Sequence, residues 1–236
     1  MGNTQDKSVE IELSEKGSNL YIFFGGIASR IAMPPFEFYK SSQILDQHRI
    51  YIRDLAQCWY QNGLAGISQD IYATASYIRS KIDEIGPKKV FFVGNSMGGY
   101  AAILFAALVG IGEAITFAPQ TFISPALRFR HKDLRWRKRV LVTYAKSVFK
   151  RKVWDLGPLL ARTKSNPKVS IYVSKENQLD LIHARHLKGI AGVNIHVLET
   201  GGHGVVKVLR DEGKLPAIML GTYAQHDTPS EGSSVA

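Results

Sequence analysis

Cysteine is almost missing from this chain: Cys58 stands alone among 236 residues. A single thiol closes no internal disulfide, and a sequence without disulfides suits a reducing compartment. Long apolar runs are also missing. The longest, 101–111, is well short of the roughly 20 residues that a membrane-spanning helix needs, so a buried helix is the better reading. The start of the chain is polar and lacks the apolar core of a secretory signal. Gly2 invites comparison with an N-myristoylation motif, but Asp6 stands where that motif requires Ser or Thr. A cytoplasmic protein is expected. There is no Pro/Ser-rich linker, internal repeat or low-complexity block, which favours one domain over 1–223 followed by a small, polar, frayed tail over 224–236. No His/Cys/Asp/Glu cluster has metal-ligand spacing and no glycine-rich loop has nucleotide-binding form, so no metal or other cofactor is expected.

Acidic residues are scarce in one place only. The chain has 30 basic and 20 acidic residues, a net charge of +10. Segment 128–152 holds eleven of the basic residues and a single acid, Asp133, giving 11 − 1 = +10, while the remainder balances at 19 against 19. The basicity therefore belongs to one insert and not to the fold. Within it Leu134, Trp136, Val140, Leu141, Tyr144, Ala145, Val148 and Phe149 are interleaved with cations from Arg135 to Lys152, a mixture that suits a basic amphipathic helix. Its partner is an anionic membrane surface at the inner membrane face, an anionic glycan, or solvent alone. Nucleic acid ranks last, because no base-reading motif accompanies the charge.

The elements alternate. Positions 8–13 alternate apolar and acidic residues as a half-exposed strand does, and 20–24 is a buried apolar strand ending in Gly25-Gly26-Ile27. Pro34 and Pro35 keep the stretch before Phe36-Glu37-Phe38 extended. A strand over 48–52 is followed by Arg53-Asp54 and Trp59-Tyr60, and an amphipathic helix over 67–85 stops at Gly86-Pro87. Further strands fall at 112–117, 169–174 and 193–198, and a closing helix begins at Val205. Such β-α-β alternation predicts a mostly parallel, doubly wound sheet.

The stretch Val90-Phe91-Phe92-Val93-Gly94-Asn95-Ser96-Met97-Gly98-Gly99-Tyr100-Ala101-Ala102 organises the rest. It reads as strand, sharp turn and helix, the context that G-x-S-x-G requires. Gly94 and Gly98 lack a Cβ, so strand and helix can approach closely while Ser96 takes a strained, exposed conformation. This resembles the nucleophile elbow of the α/β-hydrolase superfamily. The resemblance implies an α/β-hydrolase fold, with a cap formed by the basic insert at about 122–165. It implies oxyanion donors at the N–H of Met97 and in the loop after the strand at 20–24, where Ile27 is chosen by position and Gly26 is its close alternative. It also implies the order Ser, then acid, then His along the chain. His203 follows the last strand and is flanked by Gly201, Gly202 and Gly204. Asp180 and Glu176 both follow the strand that ends near Ser174, and Asp180 is the preferred acid. A first-turn or capping acid of a helix would look the same.

The run Asp180-Leu181-Ile182-His183-Ala184, together with Pro35-Phe36-Glu37-Phe38, Arg53-Asp54, Trp59-Tyr60 and the elbow, is similar to small bacterial α/β-hydrolase-like proteins associated with surface-polysaccharide synthesis. The expected activity is that of a serine hydrolase cleaving a carboxylic ester, such as an acyl or acetyl group on a glycan or lipid-linked sugar. The alternatives are a thioesterase or acyltransferase with the same triad, and a non-catalytic relative that binds a glycan or an acidic carrier protein. Because the basic segment lies apart from the triad in sequence, its cations, Arg135 among them, are expected to be dispensable for the chemistry.

Overall fold

The computed structural model describes residues 7–27, 36–146 and 153–223. The expectations for the proline-rich stretch before Phe36, for Val148 and Phe149, and for the tail at 224–236 lie outside these residues. The strands are β1 (Val9–Glu12), β2 (Leu20–Phe24), β3 (His48–Ile52), β4 (Val90–Asn95), β5 (Glu113–Phe117), β6 (Lys168–Ser174) and β7 (Val193–Leu198). The helices are α1 (Tyr39–Ser42), α2 (Ile71–Ile85), α3 (Met97–Val109), α4 (Pro125–Arg130), α5 (Arg137–Lys146), α6 (Leu156–Arg162), α7 (Gln178–His186), α8 (Val205–Asp211) and α9 (Leu215–Met219).

One seven-stranded sheet runs in the order β1-β3-β2-β4-β5-β6-β7. β1 is antiparallel to β3, and all other neighbours are parallel. Both faces are covered, which explains why β2 is apolar at every position. Leu20, Ile22 and Phe24 enter one core with α2 and α3, while Tyr21 and Phe23 enter a second with Val205, Leu209 and Leu215. α3 packs on three strands at once, so it is apolar on all sides, and Met97 through Ala107 are buried. Among the described residues no helix is long and apolar enough to cross a membrane.

Two boundaries differ from expectation, each for a local reason. The helix expected over 67–85 begins at Ile71, because Asp70 caps it by accepting the N–H groups of Tyr72 and Ala73. The basic insert forms no single amphipathic helix. It makes α4, α5 and α6, and α5 buries only Val140 and Thr143, leaving Leu134, Leu141 and Val142 exposed.

The elbow fixes how β2, β4 and α3 meet. A Cβ added to Gly98 would stand 2.1 Å from the Phe24 carbonyl oxygen, and one added to Gly94 would stand 2.1 Å from the Gly98 carbonyl oxygen. Backbone meets backbone at both positions, so no side chain can rotate away. Gly98→Ala should therefore lower unfolding free energy by about 3 kcal/mol or more, or give no soluble protein. Denaturant melts will check this, and a wild-type midpoint would show that the crossing can open.

Candidate active site

β4 ends at Asn95 and α3 starts at Met97, so Ser96 alone makes the reversal. It does so at φ 54° and ψ −116°, a left-handed backbone that a residue with a Cβ occupies only when its surroundings enforce it. The enforcement is visible. The Ser96 N–H donates to the Phe117 carbonyl at 2.9 Å, and the Ser96 carbonyl accepts from the N–H groups of Tyr100 and Gln120. Gln120 is in turn fixed by Trp59, whose Nε1–H donates to its side-chain oxygen at 2.7 Å. Trp59 and Tyr60 are set by Asp54, a buried carboxylate that accepts the N–H groups of Ala56, Cys58 and Tyr60. Burial raises the Asp54 pKa, and those N–H donors oppose the rise.

The other two predicted residues reach Ser96 from neighbouring strand ends. Asp180 lies in the first turn of α7 after β6, and Asn177 caps that helix by accepting the Asp180 N–H. His203 follows β7 in a 3-10 turn, Gly202–Gly204. Its Nε2 is 3.1 Å from Ser96 Oγ, and its Nδ1 is 2.7 Å from Asp180 Oδ2. An ionised Asp180 can only accept, so Nδ1 carries the hydrogen and Nε2 is left to accept from the serine hydroxyl. Glu176 does not reach the imidazole. Its Oε2 accepts the N–H groups of Gly201 and Gly202, both at positive φ, and so braces the turn that presents His203.

Met97 is the first helical residue of α3, where the N–H has no partner within the helix. Gly26 is a correction. Its N–H is committed to Glu37 Oε2 at 2.7 Å, because this carboxylate sits between Gly26 and the Asn95 amide, whose Nδ2 donates to Oε1 at 3.1 Å. Ile27, the next residue along, is partly buried and packs against the main core. Burial raises the Glu37 pKa, and the bonds from Gly26 and Asn95 together with nearby His203 act in the opposite direction.

A second correction concerns the insert. Arg135 was expected to be remote from the triad, yet its Nη1 donates to Asp180 Oδ1 at 2.6 Å. Its Nε and Nη2 bind the two oxygens of Asp133. Asp133 also takes the Nε2–H of buried His183 at 3.1 Å, while His183 Nδ1 accepts the Thr121 N–H at 3.0 Å. That pattern leaves His183 uncharged, in keeping with burial lowering its pKa. Burial alone would raise the Asp133 pKa, but the bonds from His183 and Arg135 and the guanidinium charge outweigh it and hold the carboxyl well below its usual range. Beside these groups lies a cavity of about 330 Å³ lined by Arg135, Trp136, Asn177 and His203.

No protein-family model matches the chain, and no curated protein matches it. Solved structures do. The capsule O-acetyltransferase of Neisseria meningitidis serogroup A superposes with a TM-score of 0.63 at 16% identity, over 89% of this chain and 90% of its own. MenH from S. aureus gives 0.61 at 14% identity over 91% and 97% of the two chains. MGS-M2, an α/β-hydrolase enzyme from a Medee basin deep-sea metagenome library, gives 0.57 at 15% identity over 94% and 96%. The fold is that of the α/β-hydrolases. The capsule enzyme among these neighbours agrees with the likeness to polysaccharide-associated proteins read from the sequence. A variant of that enzyme has also been solved in complex with CoA.

Within this α/β-hydrolase fold, four residues near Ser96 were not foreseen as site residues: Glu37, Arg135, Trp136 and Asn177. Glu37 lies 58 positions from Asn95 and Arg135 lies 45 from Asp180, separations that no local spacing rule spans. The one local signal was Asp133, a single acid among eleven cations, which is the pattern of an internally paired carboxylate.

The Asp133 pairing has a measurable pH signature. A carboxyl whose folded pKa is depressed stabilises the fold above its unfolded value of about 3.9, and that contribution is lost as pH falls through the folded value. Asp133→Asn should cost on the order of 3 kcal/mol at pH 7. The gap from wild type should close as pH falls below about 4. Denaturant unfolding at several pH values checks it, and a gap that stays constant with pH would remove the charge from the explanation.

Proposed function

We propose that this chain is a serine-dependent acyl-transfer enzyme that carries an acyl group on Ser96 and releases it to water, acting on an acyl or acetyl ester of a glycan. The observation that carries this reading is the chain of contacts Ser96 Oγ to His203 Nε2 to Asp180 Oδ2, at 3.1 and 2.7 Å, converging from three strand ends. A binding module has no use for a serine in a strained reversal with an imidazole aimed at its hydroxyl.

In this mechanism the Ser96 oxygen attacks the ester carbonyl while its proton passes to His203 Nε2. Asp180 holds the ring in the required tautomer and stabilises the imidazolium. Charge on the carbonyl oxygen develops opposite the N–H of Met97 at the start of α3, with Ile27 as the candidate second donor. The tetrahedral adduct collapses, the alcohol leaves with the proton from Nε2, and acyl-Ser96 remains. Water, deprotonated by the same nitrogen, then attacks the acyl carbon and frees Ser96.

A second reading replaces that water with a sugar hydroxyl and takes the acyl group from acyl-CoA. It is favoured by the likeness to the capsule O-acetyltransferase, which superposes over 89% of this chain. The two differ in the acyl donor and in the acceptor, and one experiment that varies both separates them. Acetyl-CoA and a small acetyl ester are supplied with and without an oligosaccharide acceptor. Turnover that ignores the acceptor supports the hydrolase, and CoA release that requires it supports the transferase.

Both readings require the triad. Ser96→Ala and His203→Ala should each lower turnover by about 10⁴-fold or more while leaving the fold intact. A folded Ser96→Ala protein that keeps its activity, or still reacts with a fluorophosphonate, would end the proposal. Asp180→Asn should cost about 10³-fold or more, whereas Glu176→Gln, which only loosens the turn under His203, should cost about tenfold or less.

Arg135 is a positioning residue in this scheme. Arg135→Gln should lower the rate of fluorophosphonate labelling of Ser96 by about tenfold to a hundredfold, because Asp180 loses the group that locks its second oxygen. Arg135→Lys should recover part of it, since an ammonium keeps the positive charge beside Asp180 but cannot also make the two-point contact to Asp133. Unchanged labelling in Arg135→Gln would mean that Asp180 needs no such lock.

A further inference from the structure

We propose that the outward side of segment 128–146 is a docking surface for an anionic lipid bilayer, placed so that the cavity beside His203 opens close to the lipid headgroups. The first observation is how the segment divides its charge. Arg128 and Arg135 turn inward to Asp133 and Asp180. Arg130, Lys132, Arg137, Lys138, Arg139 and Lys146 are exposed and make no ion pair with any described carboxylate. The only acid of the segment is 2% exposed and fully engaged, so nothing on the segment itself offsets these six cations.

The second observation is what stands among them. Phe129 is 88% exposed, Leu134 71% and Leu141 56%, and Val142 is exposed as well. Burial inside the protein explains none of these. Helix geometry sets each α5 side chain beside those three and four positions away. Leu141 therefore has Arg137 and Lys138 as neighbours, and Val142 has Lys138, Arg139 and Lys146. Phe129 stands next to Arg130, and Leu134 lies between Lys132 and the cavity residue Trp136.

A polyanionic glycan or nucleic acid would use the cations and leave Phe129 and Leu134 in water. A second copy of the chain would bring the same six charges against themselves. An anionic bilayer uses both sets at once: the cations meet the headgroups, and the apolar chains enter the upper acyl region while the Lys and Arg stems cover the boundary. The consequence for the site is direct, because Arg135 and Trp136 line the cavity and are contiguous in sequence with both halves of this surface. A glycan ester attached to a lipid would be held within reach of Ser96 without leaving the membrane.

The test is co-sedimentation of the full chain with vesicles of neutral phosphatidylcholine, alone or with 30% phosphatidylserine. A heparin column serves as the polyanion control. Binding is expected to anionic and not to neutral vesicles, and it should weaken as salt shortens the Debye length from about 10 Å at 0.1 M to about 3 Å at 1 M. Arg137→Gln/Lys138→Gln/Arg139→Gln should lower vesicle affinity by about tenfold or more. Phe129→Ser/Leu134→Ser should lower vesicle affinity but leave heparin retention as it was. Both variants keep Arg135 and Trp136, so fluorophosphonate labelling of Ser96 should match wild type and report an intact fold whatever the natural substrate is. No binding of wild type to anionic vesicles at low salt would overturn the proposal. So would vesicle binding indifferent to the Phe129/Leu134 change, which would assign the surface to a soluble polyanion.

Discussion

Asp180 is an ionisable carboxyl with no exposure at all, and much of the molecule is arranged to keep its charge tolerable. A buried carboxylate without partners would cost several kcal/mol. Its two oxygens are divided between His203 and Arg135, and its own N–H is held by Asn177. Arg135 brings a second buried acid, Asp133, and Asp133 brings His183 and Arg128. The insert is thereby joined to the triad through one continuous network. Removing any one member leaves another charge or donor stranded, so the insert and the site are energetically coupled.

Ser96 depends on a different constraint, backbone contact. The close meeting of Gly98 with the Phe24 carbonyl and of Gly94 with Gly98 holds strand and helix together where Ser96 makes the reversal in a left-handed conformation. The same crossing starts α3 at Met97, directly after Ser96, with its first N–H free of any partner within the helix. Asp54 extends the constraint outward through Trp59 and Gln120 to the Ser96 carbonyl. The site rests on fixed backbone at Ser96 and on paired charge at Asp180, and His203 is the one residue that belongs to both.

What the sequence disclosed follows from that difference. The sequence signature of the elbow is local, although contacts that enforce it, such as Gly98 against Phe24, are not. The Gly94-Asn95-Ser96-Met97-Gly98 run therefore announced strand, turn and helix together, and local apolar runs and alternation placed the strands of the sheet. Charge pairing is non-local. The pairing of Arg135 with Asp180 joins elements that other strands and helices separate, and no periodicity records it. Gly26 failed as a donor for the same reason, because the carboxylate occupying its N–H comes from Glu37 on a later loop. The amphipathic reading of the insert failed differently. It assumed that apolar residues at helical spacing face inward, whereas Leu134 precedes α5 and Leu141 projects from its open side.

Trp136 marks the point at which the insert changes allegiance. Arg135 before it points into the triad network and Arg137 after it is exposed, so consecutive cations face opposite environments. The chain passes through φ 55° at Trp136, a conformation costing of order 1 kcal/mol for a bulky residue. What that strain secures is the indole at the cavity wall beside His203. A glycine there would relieve the backbone and remove the wall. Trp136 thus sets a large aromatic ring against the cavity from a backbone suited to glycine, at the residue where the inward-facing and outward-facing cations meet.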